Sequence, residues 1–536
     1  MQQAKRTIEA VLLLIAAVFL SLHALHLAAD FPNNSPWMDW SKYTDEGWYG
    51  NAAIQHYLRG SWFVPGDFNP AVALPIWPLM EAALFHFTGV SVVAARSLAV
   101  GTFGGILIAA YFLLRRYQGG LAAAIAVLLL AVSPFCYAFT RLAIIEPLLI
   151  LTTLLALLAA SAVSPPGSFS LHQRLWPLIL LGLLLPLMIL SKTTAIFLLP
   201  SVFYLLWASC GYAWKPFARA MAIAGAIAVA IWCAYFFLLV RPHYLADYRY
   251  LFSANGYTGI TLATFWQVMH DTLRDGNWMD RALYPLALAL MLLAAAFLQR
   301  LWRNPLFTAL ALWMGGYLFF LAYHNNMQPR YYFVIAVPMT MLVALAFDSL
   351  LKGALQAGRS KRVKAINWSL AGVVGAAVVI AAAVDARQTI AFVRTPEYTF
   401  ERAAQEVKQV VDSDPARSRL VLSISGNNLS LLTGLPSICD DFGTMDLEDR
   451  IAAYRPGWYV AWNDVESDKM EALTKFYTLD RVAAFPAMDD PERNLMIVYK
   501  LDPLAPTSPK PAHRRRRHTQ LRASLSSQRP LVPSVP

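Results

Sequence analysis

Long runs of apolar residues without charged side chains constrain this chain more than any other feature. About eleven such runs, each of roughly 17 to 25 residues, are long enough to cross a bilayer as helices. A soluble core would not hold so much apolar surface, since 57% of the 536 residues are hydrophobic and only 14% are charged. The predicted spans are 10–29, 97–114, 119–140, 147–163, 175–190, 193–208, 220–240, 282–299, 305–323, 331–347 and 366–384.

The charges between these runs predict an orientation. If the N-terminus is cytoplasmic, the inner loops hold most of the basic residues and almost no acids, which is the positive-inside pattern. The carboxylates fall on the outer side, Asp45, Glu46 and Glu146 among them. The net charge of +11 therefore indicates topology and not nucleic-acid binding. We expect a multi-pass protein of the bacterial inner (plasma) membrane with its C-terminal domain outside the cytoplasm. The inner basic residues are Lys5, Arg6, Arg115, Arg116, Arg174, Lys215, Arg219, Arg300, Arg303, Lys352, Arg359, Lys361, Arg362 and Lys364.

The chain divides into three parts by composition. Residues 1–394 form a helical membrane domain with two long outer loops, 30–96 and 241–281. Residues 395–502 change character and are predicted to form a small extracytoplasmic α/β domain. Residues 503–536 are rich in Pro, Ser and Arg and are predicted to form a disordered basic tail. Within the α/β domain the patterns predict strands at 420–425, 458–462 and 495–500, and helices at 397–411 and 464–477.

One polar stretch, residues 42–53, directly follows the first span. Thr44 is a good N-cap residue, and Asp45 and Glu46 fall in the first turn, where the helix dipole favours carboxylates. The pattern predicts a short amphipathic helix in the membrane interface, with Trp48 and Tyr49 at headgroup level. Two adjacent carboxylates at this boundary between water and lipid suit acid–base chemistry on a substrate that is itself partly lipid. The alternative is a capped surface helix whose acids only complement its dipole.

Further ionisable residues lie at the same membrane face. Arg141 and Glu146 flank the turn between two spans, Lys192 separates two more, and Arg330 with Tyr331 opens the tenth. Two cations beside carboxylates are what a lipid phosphate ester requires, since the cations neutralise the phosphate and a carboxylate handles the proton. The alternatives are that Arg141 pairs with Glu146 at the interface and that Lys192 snorkels towards the headgroups.

The motifs Asp45-Glu46-Gly47-Trp48-Tyr49, Arg96, Arg141 with Glu146, Ser191-Lys192-Thr193 and Arg330-Tyr331 occur in an order that resembles the GT-C membrane glycosyltransferases. The group with the greatest resemblance contains the protein O-mannosyltransferases and the aminoarabinose transferase of lipid A. The resemblance covers roughly residues 10–350, and the outer domain in a general way. It implies a polyprenyl-phosphate-linked sugar donor and inverting transfer outside the cytoplasm to a hydroxyl of a protein, lipid A or envelope glycan. One departure argues against lipid A, because residues 67–71 lack the basic residue that aminoarabinose-type enzymes carry before prolines in this loop.

The hypothesis for the site follows from these motifs. Asp45 accepts the proton of the acceptor hydroxyl as its oxygen attacks the anomeric carbon. Glu46 and Glu146 orient the acceptor, or hold a divalent ion if one is used. Lys192 and Arg330 stabilise the departing lipid phosphate. No metal site is assigned, because the sequence has no HExxH or CxxC spacing. The substrate-binding set is completed by Arg141, Tyr49 and Tyr331.

Two other classes of protein are weighed against the enzyme. A transporter or flippase of lipid-linked sugars also needs polar residues in the membrane, but transporters tend to have internal repeats and charges at mid-membrane. Here no repeat is found, and the ionisable residues cluster at one face. A sensor with an outer domain would explain residues 395–501 but not Asp45, Glu146 and Lys192.

Overall fold

The computed structural model describes residues 2–164, 174–254, 260–296, 299–324, 328–356, 360–491 and 493–504. The predicted tail therefore lies outside the described residues from position 505 onward. The first part of the described chain is helical, and the last part carries one mixed sheet. The helices of the first part are α1 (Gln2–His23), α2 (Asp45–Arg59), α3 (Ile76–Thr88), α4 (Val92–Tyr117), α5 (Gly120–Val132), α6 (Pro134–Thr140), α7 (Glu146–Ala162), α8 (Leu175–Ser191), α9 (Leu199–Ser209), α10 (Trp214–Tyr235), α11 (Arg241–His243), α12 (Leu245–Ala254), α13 (Leu262–Asp275), α14 (Leu283–Ala296), α15 (Gln299–Trp302), α16 (Pro305–His324), α17 (Pro329–Leu355) and α18 (Lys361–Arg394).

The described part of the chain has six helices that are long and apolar enough to cross a membrane, and the number rises to seven when α5 and α6 count as one bent span. Four shorter apolar helices, α7, α8, α9 and α14, accompany them. Each predicted apolar run overlaps one of these helices or the bent pair. The protein is thus a multi-pass membrane protein, whereas a count of eleven crossings and the orientation stay predictions.

The bend of 67° between α5 and α6 has a local cause. Pro134 has no N–H to continue the hydrogen bonding of α5, so the helix stops at Val132. The side chain of Ser133 caps the new helix by accepting a hydrogen bond from the N–H of Cys136 at 3.3 Å. The chain then turns through residues 141–145 and starts α7 at Glu146. The turn brings Glu146 to one end of the helical bundle.

The last part of the described chain is built on a five-stranded sheet with the order β2-β1-β3-β5-β4. Strand β1 is parallel to β2 and β3, whereas β3, β5 and β4 are antiparallel. Along β3, Trp458 and Val460 pack into one apolar core, and Tyr459 and Ala461 pack into another on the opposite face. Both faces of the sheet are therefore covered. The elements are α19 (Thr399–Asp412), β1 (Val421–Leu422), α20 (Gly426–Thr433), β2 (Ser437–Ile438), α21 (Leu447–Tyr454), β3 (Trp458–Trp462), α22 (Ser467–Thr474), β4 (Tyr477–Pro486) and β5 (Leu495–Pro503).

The predicted strands compare unevenly with this sheet. Strand β3 matches its prediction, β5 runs three residues longer, and β1 is only two residues long. The patterns missed β2 and β4 as well as α20 and α21. The predicted helix 464–477 is shortened to α22, because the chain enters β4 at Tyr477. The boundaries of a separate domain at 395–502 stay a prediction.

Helix α2 differs most from its prediction. We expected it in the membrane interface, with Trp48 and Tyr49 at the headgroups. Instead it lies between α3 and α20, and nine of its fifteen residues are buried. The indole of Trp48 packs against the ring of Phe442, with 5.1 Å between the ring centroids. Most apolar residues of α2 thus pack against other parts of the protein, so this helix joins the two parts of the chain.

Candidate active site

Asp45 is the first residue of α2 and is almost completely buried. Its Oδ1 atom lies 3.0 Å from the hydroxyl of Thr44, which donates to it. Its Oδ2 atom is buried and accepts no hydrogen bond from the described residues. Burial raises the pKa of Asp45 above its ordinary value of 3.8, and the nearby guanidinium of Arg330 opposes that rise. One carboxylate oxygen therefore remains available to accept a proton.

Arg330 faces Asp45 from the first turn of α17. Its Nη2 atom lies 3.1 Å from Oδ2 of Asp45. A second carboxylate, Asp39, accepts hydrogen bonds from the backbone N–H of Arg330 at 2.8 Å and from its Nη1 atom. Asp39 also accepts from the backbone N–H of Ser41 at 2.9 Å. Asp39 thus fixes the guanidinium so that its other side meets Asp45.

Glu146, Lys192 and Tyr331 complete this cluster. The Nζ atom of Lys192 pairs directly with Oε1 of Glu146. It also lies 4.3 Å from the ring centroid of Tyr331, and the guanidinium carbon of Arg330 lies 4.7 Å from the same centroid. Both cations therefore lie close to the ring of Tyr331, whose negative face attracts them, and Nε of Arg330 lies 4.0 Å from Oε1 of Glu146. The Oε2 atom of Glu146 has no hydrogen-bond partner in the described residues.

Tyr49 lies one turn after Asp45 on the same helix. Burial, with smaller contributions from Asp45 and Glu146, raises the pKa of Tyr49 well above its ordinary value of 10. Its hydroxyl therefore keeps its proton at neutral pH and is a hydrogen-bond donor beside the cluster. This position agrees with the substrate-binding role predicted for Tyr49, which stays a prediction.

Glu46 points away from Asp45 into a separate network. Arg96 binds both of its oxygens, with Nε to Oε1 at 2.7 Å and Nη2 to Oε2 at 2.6 Å. Oε1 also accepts the backbone N–H of Ala143 at 2.9 Å. The remaining Nη1 of Arg96 donates to the carbonyl of Leu27 at 2.9 Å. Glu46 therefore ties α2, α4, the end of the first span and the turn before α7 together, and its contacts are with protein groups.

Arg141 also lies outside the cluster. It donates from Nη1 to the hydroxyl of Tyr137 at 2.7 Å and from Nη2 to the carbonyl of Leu25 at 3.0 Å. The alternative in which Arg141 pairs with Glu146 does not occur, because Glu146 pairs with Lys192. Lys192 is itself buried, so it does not snorkel to a headgroup layer.

The structure thus brings together Asp45, Glu146, Lys192, Arg330 and Tyr331, from α2, α7, the end of α8 and α17, with Tyr49 beside them. It places Glu46 and Arg141 in supporting contacts. The sequence reasoning missed Asp39, which was only one of several outer acids. Its partner is 291 residues away, so no local pattern marks it.

A divalent ion at this site would need several oxygen or nitrogen ligands close together. Among the described residues, no group of three or more His, Cys, Asp or Glu side chains is arranged to hold a metal ion. In the cluster, Asp39 already uses both of its oxygens on Arg330. Asp45 and Glu146 each keep one carboxylate oxygen without a hydrogen-bond partner in the described residues, and the divalent ion stays a prediction.

Part of the chain matches a known protein family. Residues 70–237 match the family described as dolichyl-phosphate-mannose-protein mannosyltransferase. This segment carries Arg96, Arg141, Glu146 and Lys192. No curated protein matches the sequence.

Two solved structures share the fold. ArnT from Cupriavidus metallidurans bound to undecaprenyl phosphate has 14% identity and a TM-score of 0.58, and the match covers 91% of this chain and 98% of that one. The same protein in the apo state has 15% identity and a TM-score of 0.59, with 91% and 97% of the two chains covered. The resemblance to the GT-C glycosyltransferases that the motifs predicted is confirmed at the level of the fold.

Proposed function

We propose that this protein is a membrane glycosyltransferase that moves a sugar from a polyprenyl-phosphate donor to an acceptor hydroxyl outside the cytoplasm. One observation carries the proposal. The Oδ2 atom of Asp45 is buried, accepts no hydrogen bond from the described residues, and lies 3.1 Å from a guanidinium that itself touches the rest of the cluster. A basic oxygen beside a cation suits a reaction in which a proton is removed while an anion departs.

In the proposed step the acceptor oxygen attacks the anomeric carbon as Asp45 takes its proton. The bond between the anomeric carbon and the phosphate oxygen breaks, and its electron pair stays on the phosphate. Attack from the face opposite the leaving group inverts the anomeric configuration. Asp45 loses its proton to solvent when the products leave.

Lys192 and Arg330 are proposed to stabilise the departing phosphate. Each is held by a carboxylate, Glu146 for Lys192 and Asp39 for Arg330. The two pairs keep the cations ordered and buried, so little reorganisation is needed when a phosphate arrives. Glu146 keeps one buried oxygen without a hydrogen bond in the described chain, which suits a role in orienting the acceptor hydroxyl.

Three further points belong to the proposal. The fold shared with ArnT, which was solved with undecaprenyl phosphate, supports a polyprenyl-phosphate donor. The charge pattern supports a cytoplasmic N-terminus and a site at the outer face of the bacterial inner membrane. Protein, lipid and glycan hydroxyls all remain candidate acceptors.

The test uses the purified full-length protein in nanodiscs. It is mixed with radiolabelled polyprenyl-phosphate sugars and with an extract of envelope proteins, lipids and glycans. We expect label to pass to the acceptor fraction, and NMR of the product to show the inverted anomer. In a parallel assay with the protein in sealed vesicles, label that crosses the bilayer without ever reaching an acceptor would favour a transporter and overturn the proposal.

A further inference from the structure

The first turn of α2 has an unusual cap. Helices begin with backbone N–H groups that no residue of the helix can satisfy, and a side chain at the N-cap position usually accepts one of them. Thr44 occupies that position but makes no capping hydrogen bond, because its hydroxyl turns to Asp45 and to the carbonyl of Trp40. The local sequence therefore leaves the start of this helix uncapped.

The missing acceptor comes from the last part of the chain. The N–H of Gly47, in the first turn of α2, donates to the side-chain oxygen of Asn428 in α20. The two residues are 381 positions apart. The side-chain amide of Asn428 thus caps the N-terminus of α2 in place of Thr44.

The approach between the two helices is close enough to fix that contact. A Cβ atom on Gly47 would come within 2.2 Å of the backbone of both Asn427 and Asn428, so only glycine fits. One residue further along α2, Nε1 of Trp48 donates to the carbonyl of Ile424 at 3.3 Å. Asn428 itself is buried. The cap is therefore shielded from water, which would otherwise compete for the N–H.

We infer that Asn428 is a positioning residue for Asp45, and that the C-terminal part of the chain completes the active site. The inference rests on the proposed function. The capped turn holds the backbone on which Asp45 stands, and a shift of about 1 Å in a reacting group is enough to cost a large factor in rate. Asp45 would then be placed to accept the proton of the acceptor hydroxyl only while α20 packs against α2.

Asn427 supplies a matched control in the same helix. Its Oδ1 accepts a hydrogen bond from Nε2 of Gln55 at 3.2 Å, so it holds α2 to α20 near the other end of α2. Asn427→Ala removes this side-chain contact and weakens the same surface, whereas the backbone of residue 427 and the cap at the first turn stay in place. Asn428→Ala and Asn427→Ala thus separate positioning of Asp45 from general stability.

The experiment compares Asn428→Ala, Asn428→Asp and Asn427→Ala in full-length protein, each at its own pH optimum. We expect Asn428→Ala to lower kcat about tenfold with the donor KM within about twofold of wild type, because a lost cap frays the turn that carries Asp45. Asn428→Asp retains an acceptor oxygen and should recover most of kcat. Asn427→Ala should keep kcat within about twofold, although its unfolding temperature falls as in Asn428→Ala.

Unchanged kcat in Asn428→Ala, equal losses in Asn428→Ala and Asn427→Ala, or no recovery in a folded Asn428→Asp would each overturn the inference. Hydrogen exchange gives a readout that needs no activity. Amides in the first turn of α2 should exchange faster in Asn428→Ala and at the wild-type rate in Asn427→Ala. If the wild type transfers no sugar, the proposed function fails. Equal hydrogen exchange of the first-turn amides of α2 in Asn428→Ala and Asn427→Ala would separately show that Asn428 does not cap this helix.

Discussion

The guanidinium of Arg330 lies 3.1 Å from the carboxylate of Asp45, and Asp39 holds it there from the other side. The positive charge of Arg330 favours the charged form of Asp45 and so opposes the effect of burial on its pKa. Arg330 therefore influences the proton affinity of Asp45 as well as the binding of a phosphate. The two effects are separable by experiment.

Asp45→Asn should reduce turnover about a hundredfold or more. The amide keeps the size of the side chain but cannot accept the acceptor proton. Donor binding and the unfolding temperature should stay near those of the wild type. Glu406→Gln, at an exposed acid of α19, is the control and should transfer sugar normally. Full-rate transfer by Asp45→Asn would remove this residue from the role of base.

The pH dependence should carry the signature of Asp45. A base works only when deprotonated, so kcat falls as the pH drops through its pKa. Because burial raises that pKa above 3.8, the acid limb of the kcat profile should lie above this value. Arg330→Gln removes the cation that lowers the pKa, so the limb should move to higher pH. A limb that stays in place in Arg330→Gln at saturating donor would contradict this assignment.

Lys192→Ala and Arg330→Ala should weaken donor binding by roughly one to two powers of ten. A charge-assisted contact to phosphate is typically worth ~1.5–3 kcal/mol. Titration of a polyprenyl-phosphate sugar into nanodisc-bound protein measures the change. Arg115 is an exposed cation near the C-terminal end of α4, whereas Arg96 lies near the N-terminal end of the same helix. The variant Arg115→Ala should bind donor as the wild type does. Unaltered donor affinity in both site variants would show that Lys192 and Arg330 do not bind the donor phosphate and only stabilise the fold.

Glu46→Gln should act through stability. It breaks a buried two-point pair with Arg96, which typically costs ~3–5 kcal/mol. The double variant Glu46→Gln/Arg96→Met should lose less than the sum of the single variants, because it leaves no uncompensated charge. Thermal unfolding in detergent measures all three. Glu81→Gln is the control, since Glu81 is equally buried but pairs with no cation among the described residues. Additive losses would show that the two side chains are not coupled.

Cysteine labelling tests the orientation. In a variant whose half-buried Cys233 is replaced by serine, cysteines at the exposed positions Met38 and Glu406 should react with an impermeant reagent added outside. A cysteine at the exposed Lys215 should react only after permeabilisation. The reverse pattern would place the site in the cytoplasm and invalidate the choice of donor and acceptor.

Much of the membrane part was predictable because its signal is local. Each apolar run carries its own evidence for a helix, and ionisable residues at the run ends stand out against it. Asp45, Glu146, Lys192 and Arg330 were found in this way. The alternative pairing of Glu146 with Arg141 was wrong, and no partner was predicted for Glu46, because the choice between Lys192, Arg141 and Arg96 depends on how the helices pack.

What the sequence could not predict depends on contacts between distant segments. Strand β2 has only two residues, too few for an alternating pattern, and it exists because β1 pairs with it. Most of β4 is half-buried or exposed, so it lacks the apolar signal of a core strand. The burial of α2 follows from its cover by α20, and neither helix indicates the other in its own sequence.

The hydrogen bond from Gly47 to Asn428 also sets an order of assembly. During synthesis the helix that begins at Asp45 leaves the ribosome long before residue 428 is made. Until then the first turn of α2, which carries Asp45, lacks the hydrogen bond from Gly47 to Asn428. A product that stops before α20 would insert its helices into the membrane yet lack the ordered site. If the proposed function and the role of Asn428 hold, sugar transfer should therefore begin only after α20 has been synthesised.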